Sequence, residues 1–189
     1  SGERLLGEGT HVRAVLPVQK IIDNLAAVSA ESSMHHLHPN TSSLPVFSTL
    51  QVNIQNQTAV ITLNRPAVLN AVDRRMTSEF EQLVAWLAGH SADVRVVLLT
   101  GAGRAFCAGD DIRELPTIPT DEARQLSGRQ ARMYLALERI PQVVLALVNG
   151  DAFGAGCVAA CAADLRIASH PARFAMPEVL LGWPPGYGL

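Results

Sequence analysis

The chain has 189 residues, a formal net charge of -2, 48% hydrophobic residues and 17% charged ones. That balance excludes a disordered chain and supplies one domain with a core. No basic stripe is present, which excludes nucleic acid as the main partner, and the longest apolar runs, such as Val143–Val148, are too short to cross a membrane.

Residues 1–48 read as an N-terminal extension or linker, and residues 49–189 as the folded core. Within the extension, residues 15–28 have helical character, although Pro17 sits near their start, and residues 29–45 form a Ser-rich linker. His35, His36 and His38 lie in that linker without a carboxylate or Cys neighbour, so solvated histidines are expected rather than a metal site. No basic stretch followed by a long apolar one marks a secretory signal, and Glu3, Glu8 and Asp23 weigh against a transit peptide.

From Leu50 the pattern becomes regular. Residues 51–55 and 59–63 alternate as a strand pair turning at Asn56-Gln57. Asp73 opens a helix whose Met76, Phe80, Leu83, Val84 and Leu87 recur every three or four residues, with Gly89 at its stop. Residues 94–100 are a β-branched apolar run, hence a buried strand. Residues 121–139 form a second helix ended by Pro141, and residues 142–148 another buried strand. A helix of small residues, 154–163, and a short strand, Leu165–Ala168, follow. This alternation predicts an α/β fold. Cys107, Cys157 and Cys161 are odd in number and lack zinc-ligand spacing. Reduced, buried side chains of a cytosolic-type compartment are expected, cytoplasmic or, in a eukaryote, mitochondrial or peroxisomal, with no metal bound.

Two turns carry candidate chemistry. One runs Ala105-Phe106-Cys107-Ala108-Gly109-Asp110-Asp111 after a strand. The other, Asn149-Gly150-Asp151-Ala152-Phe153-Gly154-Ala155-Gly156, joins a strand to the small-residue helix. Loops at strand ends hold ligands in open α/β sheets, and a helix start offers free N–H groups to a negative charge. Taken singly, each also reads as a tight structural turn. Gly154-Ala155-Gly156 lacks the later Gly of a dinucleotide fingerprint.

Taken in order, Asn64-Arg65-Pro66, Asn70-Ala71, the stretch from Leu99 to Gly109, Val148-Asn149-Gly150, the stretch from Ala163 to Ala168, Phe174-Ala175-Met176-Pro177-Glu178 and Leu181-Gly182 resemble the enoyl-CoA hydratase/isomerase (crotonase) family. The resemblance covers residues 50–189. It implies a crotonase-like β-β-α spiral, usually assembled as homotrimers or hexamers. It also implies an acyl-CoA thioester as partner, a stabilised thioester enolate, and no cofactor beyond the coenzyme A of the substrate. Position by position, it puts the backbone N–H of Asp110 and that of Ala155 in the oxyanion hole. Asn70, Ala71, Ala108, Asp110, Asp111, Ile112 and Gly154 line the CoA and acyl path. Arg65 reads either as a contact to CoA phosphates or as a solvated side chain.

The family's hydratases use two glutamates. Glu178 matches the one after Phe-x-x-Pro, whereas Val158 stands where the other belongs. Syn addition of water asks one carboxylate to activate water and another to move a proton. The resemblance therefore implies an isomerase-type proton shuttle on Glu178 rather than ordinary hydration, with a catalytically silent CoA-binding or partner-binding protein as the alternative. Glu178 also reads as an acid stabilised at a helix start. Hydrolases, dehalogenases and dienoyl-CoA isomerases of the family carry an Asp near the position of Gly186. The dihydroxynaphthoyl-CoA synthases share the missing first glutamate, and Tyr187 resembles theirs, but they lack a Glu at the position of Glu178. The chain ends at Leu189 within a family motif, and the helices that close the acyl pocket in the family are expected beyond it.

Overall fold

The computed structural model describes residues 44–182. The readings made for residues 15–28, for the linker histidines and for Gly186 and Tyr187 lie outside them.

β1 (Leu50–Gln55) and β2 (Thr58–Leu63) form an antiparallel hairpin with Leu50 opposite Leu63 and Gln55 opposite Thr58. Its two-residue turn needs left-handed backbone at both central positions, and Asn56 and Gln57 adopt φ 46° and 61°. α1 (Arg74–Gly89) starts where Asp73 Oδ1 accepts the Met76 N–H at 2.7 Å, satisfying one of the unpaired amides of the first turn. Its apolar stripe, Met76, Phe80, Leu83, Val84 and Leu87, is buried as the spacing predicts. β3 (Val96–Gly101) follows, then the three-residue β4 (Ala105–Cys107), and then α2 (Thr120–Arg139). Ile140 is extended, the conformation that Pro141 imposes on the residue before it, so the helix stops there. β5 (Val143–Val148), β6 (Asp151–Phe153), α3 (Ala155–Cys161), β7 (Leu165–Ala168) and β8 (Phe174–Ala175) complete the order.

The long strands make one sheet in the order β1-β2-β3-β5-β7, parallel apart from the hairpin. The short strands make a second, fully parallel sheet in the order β4-β6-β8. The stretches read above as two tight turns thus contain two of its strands, a correction to the expected element order. Strands of two or three residues are too short to show a period of two. Side-chain amides outside them supply the anchoring. Asn149 Nδ2 donates to Gly101 O at 2.9 Å and Gly103 O at 3.0 Å. Asn70 Nδ2 donates to Ala105 O at 2.9 Å and Phe106 O at 3.2 Å.

The core lies between the sheets and the helices, with Ile61, Leu83, Leu99, Phe106, Leu137 and Val144 among its most buried side chains. β3 begins two residues later than the apolar run, and α3 is shorter at both ends than the small-residue stretch. Cys107 is buried as expected, but Cys157 is only half-buried and Cys161 is exposed. Position on α3 decides this, because Cys161 falls at the helix end. Among the described residues no helix is long and apolar enough to cross a membrane.

Candidate active site

The second sheet brings the two Gly-containing turns together. β4 and β6 run side by side, Ala105 against Asp151 and Cys107 against Ala152, so the turns that follow them emerge at the same end. They touch at Gly109 and Gly154. Gly109 has φ 101°, and a Cβ there would come within 3.2 Å of Phe153 O and 3.7 Å of Gly154 Cα. Gly154, at φ 48°, caps α3 without a side-chain hydrogen bond. Glycine tolerates both the backbone conformation and the approach. The residues after these glycines are Asp110 and Ala155, the two positions matched to oxyanion donors.

Their amides are set by the backbone. Ala155 is the first residue of α3, and first-turn amides of a helix have no acceptor within it. Asp110 is pinned by a parallel bridge to Val72: the Val72 N–H donates to Gly109 O and the Asp111 N–H to Val72 O, both at 2.8 Å. In a parallel bridge the neighbours of the central residue make the bonds, so its own N–H points to the opposite side.

Glu178 arrives from the third strand of the same sheet. β6 pairs with β8, and the Gly154 N–H donates to Ala175 O at 2.9 Å. The chain then enters a single 3-10 helix, Pro177–Leu181, with Glu178 in its first turn. Glu178 Oε1 occupies the space where a Cβ on Gly154 would sit. Its Oε2 is buried and has no hydrogen-bond partner among the described residues. A buried acceptor without a donor is costly, so this atom has room for a hydrogen-bond donor from something that enters the site. Beside it, burial first, then the adjoining Cys161 and Glu178, raise the Cys157 thiol above its ordinary range. Val158, one turn into α3, is fully buried in the apolar core.

A cleft of about 510 Å³ opens next to Asp110. Ala71, Ala108, Asp110, Asp111 and Ile112 all line it, together with the wall 66–69 and the guanidinium-bearing Arg104 and Arg113. Asn70 and Gly154 do not line it. Asn70 is fully buried at φ 58°, and its carboxamide staples the loop before α1 to β4, with Oδ1 accepting the Arg65 N–H at 2.9 Å. Arg65 is neither solvated nor turned to the cleft mouth. It is bound to Asp73 Oδ2 at 3.0 Å and Asp111 Oδ2 at 3.2 Å. Asp111 in turn lies between two cations. Hydrogen bonds from Arg113 above all, with Arg65 adding to them, hold its carboxyl below the usual range despite burial. Arg104 and Arg113 escaped the sequence reading because isolated arginines carry no local pattern.

Comparison with known proteins gives the family and the fold. The family model described as Enoyl-CoA hydratase/isomerase matches residues 53–189. A short-chain-enoyl-CoA hydratase of Clostridium acetobutylicum is 41% identical over 135 residues, 71% of this chain and 51% of that protein. A crotonyl-CoA hydratase of Syntrophomonas wolfei is 35% identical over 135 residues, covering 71% and 52%. Among solved structures, an enoyl-CoA hydratase of Bacillus anthracis superposes with a TM-score of 0.71 at 31% identity, covering 75% of this chain and 55% of that one. The chain belongs to the enoyl-CoA hydratase/isomerase family and has the crotonase fold. It spans about half the length of the curated relatives it matches.

Proposed function

We propose that the chain binds an acyl-CoA thioester and stabilises its enolate, with the Asp110 and Ala155 N–H groups donating to the thioester oxygen and Glu178 moving the proton. The observation that carries this is the contact of Gly109 with Gly154, together with Glu178, whose Oε1 lies against Gly154 and whose buried Oε2 has no hydrogen-bond partner among the described residues. Donors aimed at a developing oxyanion contribute about 3 kcal/mol each in a water-excluded site. The cleft walled by Ala71, Ala108 and Ile112 would take the thioester arm. With Arg65 held by two carboxylates, Arg104 at the cleft rim is the better partner for CoA phosphates.

Glu178 takes a C2 proton from a 3-enoyl thioester, the dienolate oxygen is held by the two amides, and the same proton returns at C4 to give the 2-enoyl product. Val158 supports this reading, because it can neither give nor accept a proton where hydratases of the family use a second carboxylate. A second reading, hydration of a 2-enoyl thioester, is favoured by the hydratase names of the relatives. Exposed Leu165, Phe174, Val179 and Leu180 support assembly into trimers or hexamers, measurable by sedimentation.

Absorbance of the conjugated thioester separates the two chemistries. Isomerase activity raises it from a 3-enoyl-CoA, and hydration lowers it from a 2-enoyl-CoA. The expected result is isomerisation that Glu178→Gln reduces about a hundredfold or more, the scale of one acid–base group. Val158→Glu should add hydration at some cost in stability, since burial raises the pKa of the new carboxyl and disfavours its charged form. Brisk hydration by the wild type without isomerisation replaces the first reading with the second.

A further inference from the structure

One of the two amides assigned to the oxyanion belongs to a residue that itself carries a carboxylate. A negative side chain on Asp110 sits within one residue's reach of the place where negative charge develops, and like charges in a partly buried site repel strongly. The direction of that side chain therefore matters to the reaction, although only the backbone of Asp110 is assigned a part in it.

The structure contains a device that sets this direction. Gln130 lies on α2, 20 residues along the chain, and is buried. Its Nε2 donates to Asp110 Oδ1 at 2.9 Å and approaches Thr77 Oγ1 at 3.4 Å. Thr77 is fully buried on α1, and its hydroxyl proton is committed to Asp73 O at 3.0 Å. With that proton spent, Thr77 offers Gln130 only lone pairs, and Asp110 offers only acceptor oxygens. Both neighbours demand N–H groups, so the carboxamide is locked with its NH2 toward them. One helical turn on, Tyr134 is buried near the same carboxylate, its phenol raised well above the ordinary range by burial first and then by Cys107 and Asp110. Burial likewise pushes the Cys107 thiol up to about 12. Both groups stay protonated and neutral, so they place no charge beside Asp110.

We infer that Gln130 is a positioning residue for the oxyanion site: it holds the Asp110 carboxylate toward α2, away from the enolate oxygen, and so keeps the Asp110 N–H directed at that oxygen. The Val72 bridge fixes the backbone of Asp110, and Gln130 donates to its side chain. The inference rests on the oxyanion reading given above. Gln130 touches neither substrate nor reacting atoms in this account; its effect on the reaction passes through Asp110, and its longer contact to Thr77 belongs to the packing of α1 against α2.

The test is a double-mutant cycle in the full chain, read by steady-state kinetics and by the infrared carbonyl stretch of bound 13C-labelled butyryl-CoA, a saturated thioester. Hydrogen bonds to the thioester oxygen lower that stretch. Gln130→Met keeps length and flexibility and removes both donors; Gln130→Leu is the second version should the first fold poorly. In the native background, loss of the donors should lower kcat about tenfold with KM changed less than about twofold, the scale of a hydrogen bond to a charged group. The carbonyl shift should shrink in parallel. With Asp110→Ala already present, the carboxylate is gone and the backbone N–H remains, so the same Gln130 change should cost less than about twofold. An equal loss in both backgrounds, or an unchanged carbonyl shift on loss of Gln130, overturns the inference. Bound butyryl-CoA with no carbonyl shift in the wild type overturns the oxyanion reading itself, a separate and recognisable failure.

Discussion

The two sheets of this protein differ in kind. The five-stranded sheet is built from strands of four to six residues; β3 and β5 bury runs of side chains, and β2 buries every second one. The three-stranded sheet uses strands of two or three residues and depends on Asn70, Asn149 and glycine contacts for its place. Each strand of the small sheet leads directly to one element of the candidate site: β4 to Asp110, β6 to Ala155 and β8 to Glu178. Burial holds the large sheet together, whereas the small sheet spends its backbone on geometry. Substitutions should separate the two roles.

The largest effect is expected at the end of β6. Ala155→Pro removes one N–H and leaves the helix start tolerable, because proline suits the first position of a helix. Turnover should fall about a hundred- to a thousandfold, as for loss of one oxyanion donor, while Ala155→Gly keeps most of it. A melting temperature near that of the wild type, measured alongside, shows that the loss is chemical. A folded proline variant with full turnover removes Ala155 from the oxyanion site.

The complementary change lies in the large sheet. Leu99 on β3 is fully buried, and Leu99→Ala should cost about 2–5 kcal/mol in denaturant unfolding through lost burial and the cavity left behind. At a temperature where the variant stays folded, its KM and kcat should remain close to those of the wild type. A strong kinetic effect without loss of stability would show that the two sheets are not separable in this way.

The same division explains what could be read from residues alone. β3 and β5 announce themselves as runs of Val and Leu, and α1 by its spacing of Met76, Phe80, Leu83 and Leu87. The small sheet had no period to display, and two of its three strands passed for turns. The turns that hold Gly109, Asp110, Gly154 and Ala155 stood out by their place after strands and at a helix start, but the roles of Asp110, Ala155 and Glu178 were legible only because their order resembles a known family. Asn70 and Arg65 were visible as residues but not in their work, since a carboxamide bridging loops and an arginine between two carboxylates are tertiary facts. Gln130 carries no local signal. It sits on the buried face of α2, and only the approach of the Asp110 loop gives it a partner.

The smallest expected effect concerns the entry to the large sheet. Glu79 on α1 is nearly buried and gathers five donor groups: the N–H and hydroxyl of Ser48, the N–H and hydroxyl of Thr49, and Arg75 Nε. Burial alone would raise its carboxyl. The hydrogen bonds from Thr49, Ser48 and Arg75 outweigh burial and hold the pKa at about 2. An unfolded glutamate titrates near 4.3. The folded pKa is the lower of the two, so the stabilisation is fully present above about 4.3 and is lost as pH falls toward about 2. Between pH 5.5 and pH 3 the folded group stays mostly ionised while the unfolded one takes up its proton, and unfolding should become easier by about 1–2 kcal/mol on this account. Glu79→Gln should flatten that part of the curve of stability against pH. Because Glu79 anchors the chain at the start of β1 and not the small sheet, the same substitution should leave the pH dependence of turnover unchanged above pH 5. A variant that shifts the kinetic profile while the stability curve keeps its slope would tie Glu79 to the site instead and break the division between the sheets.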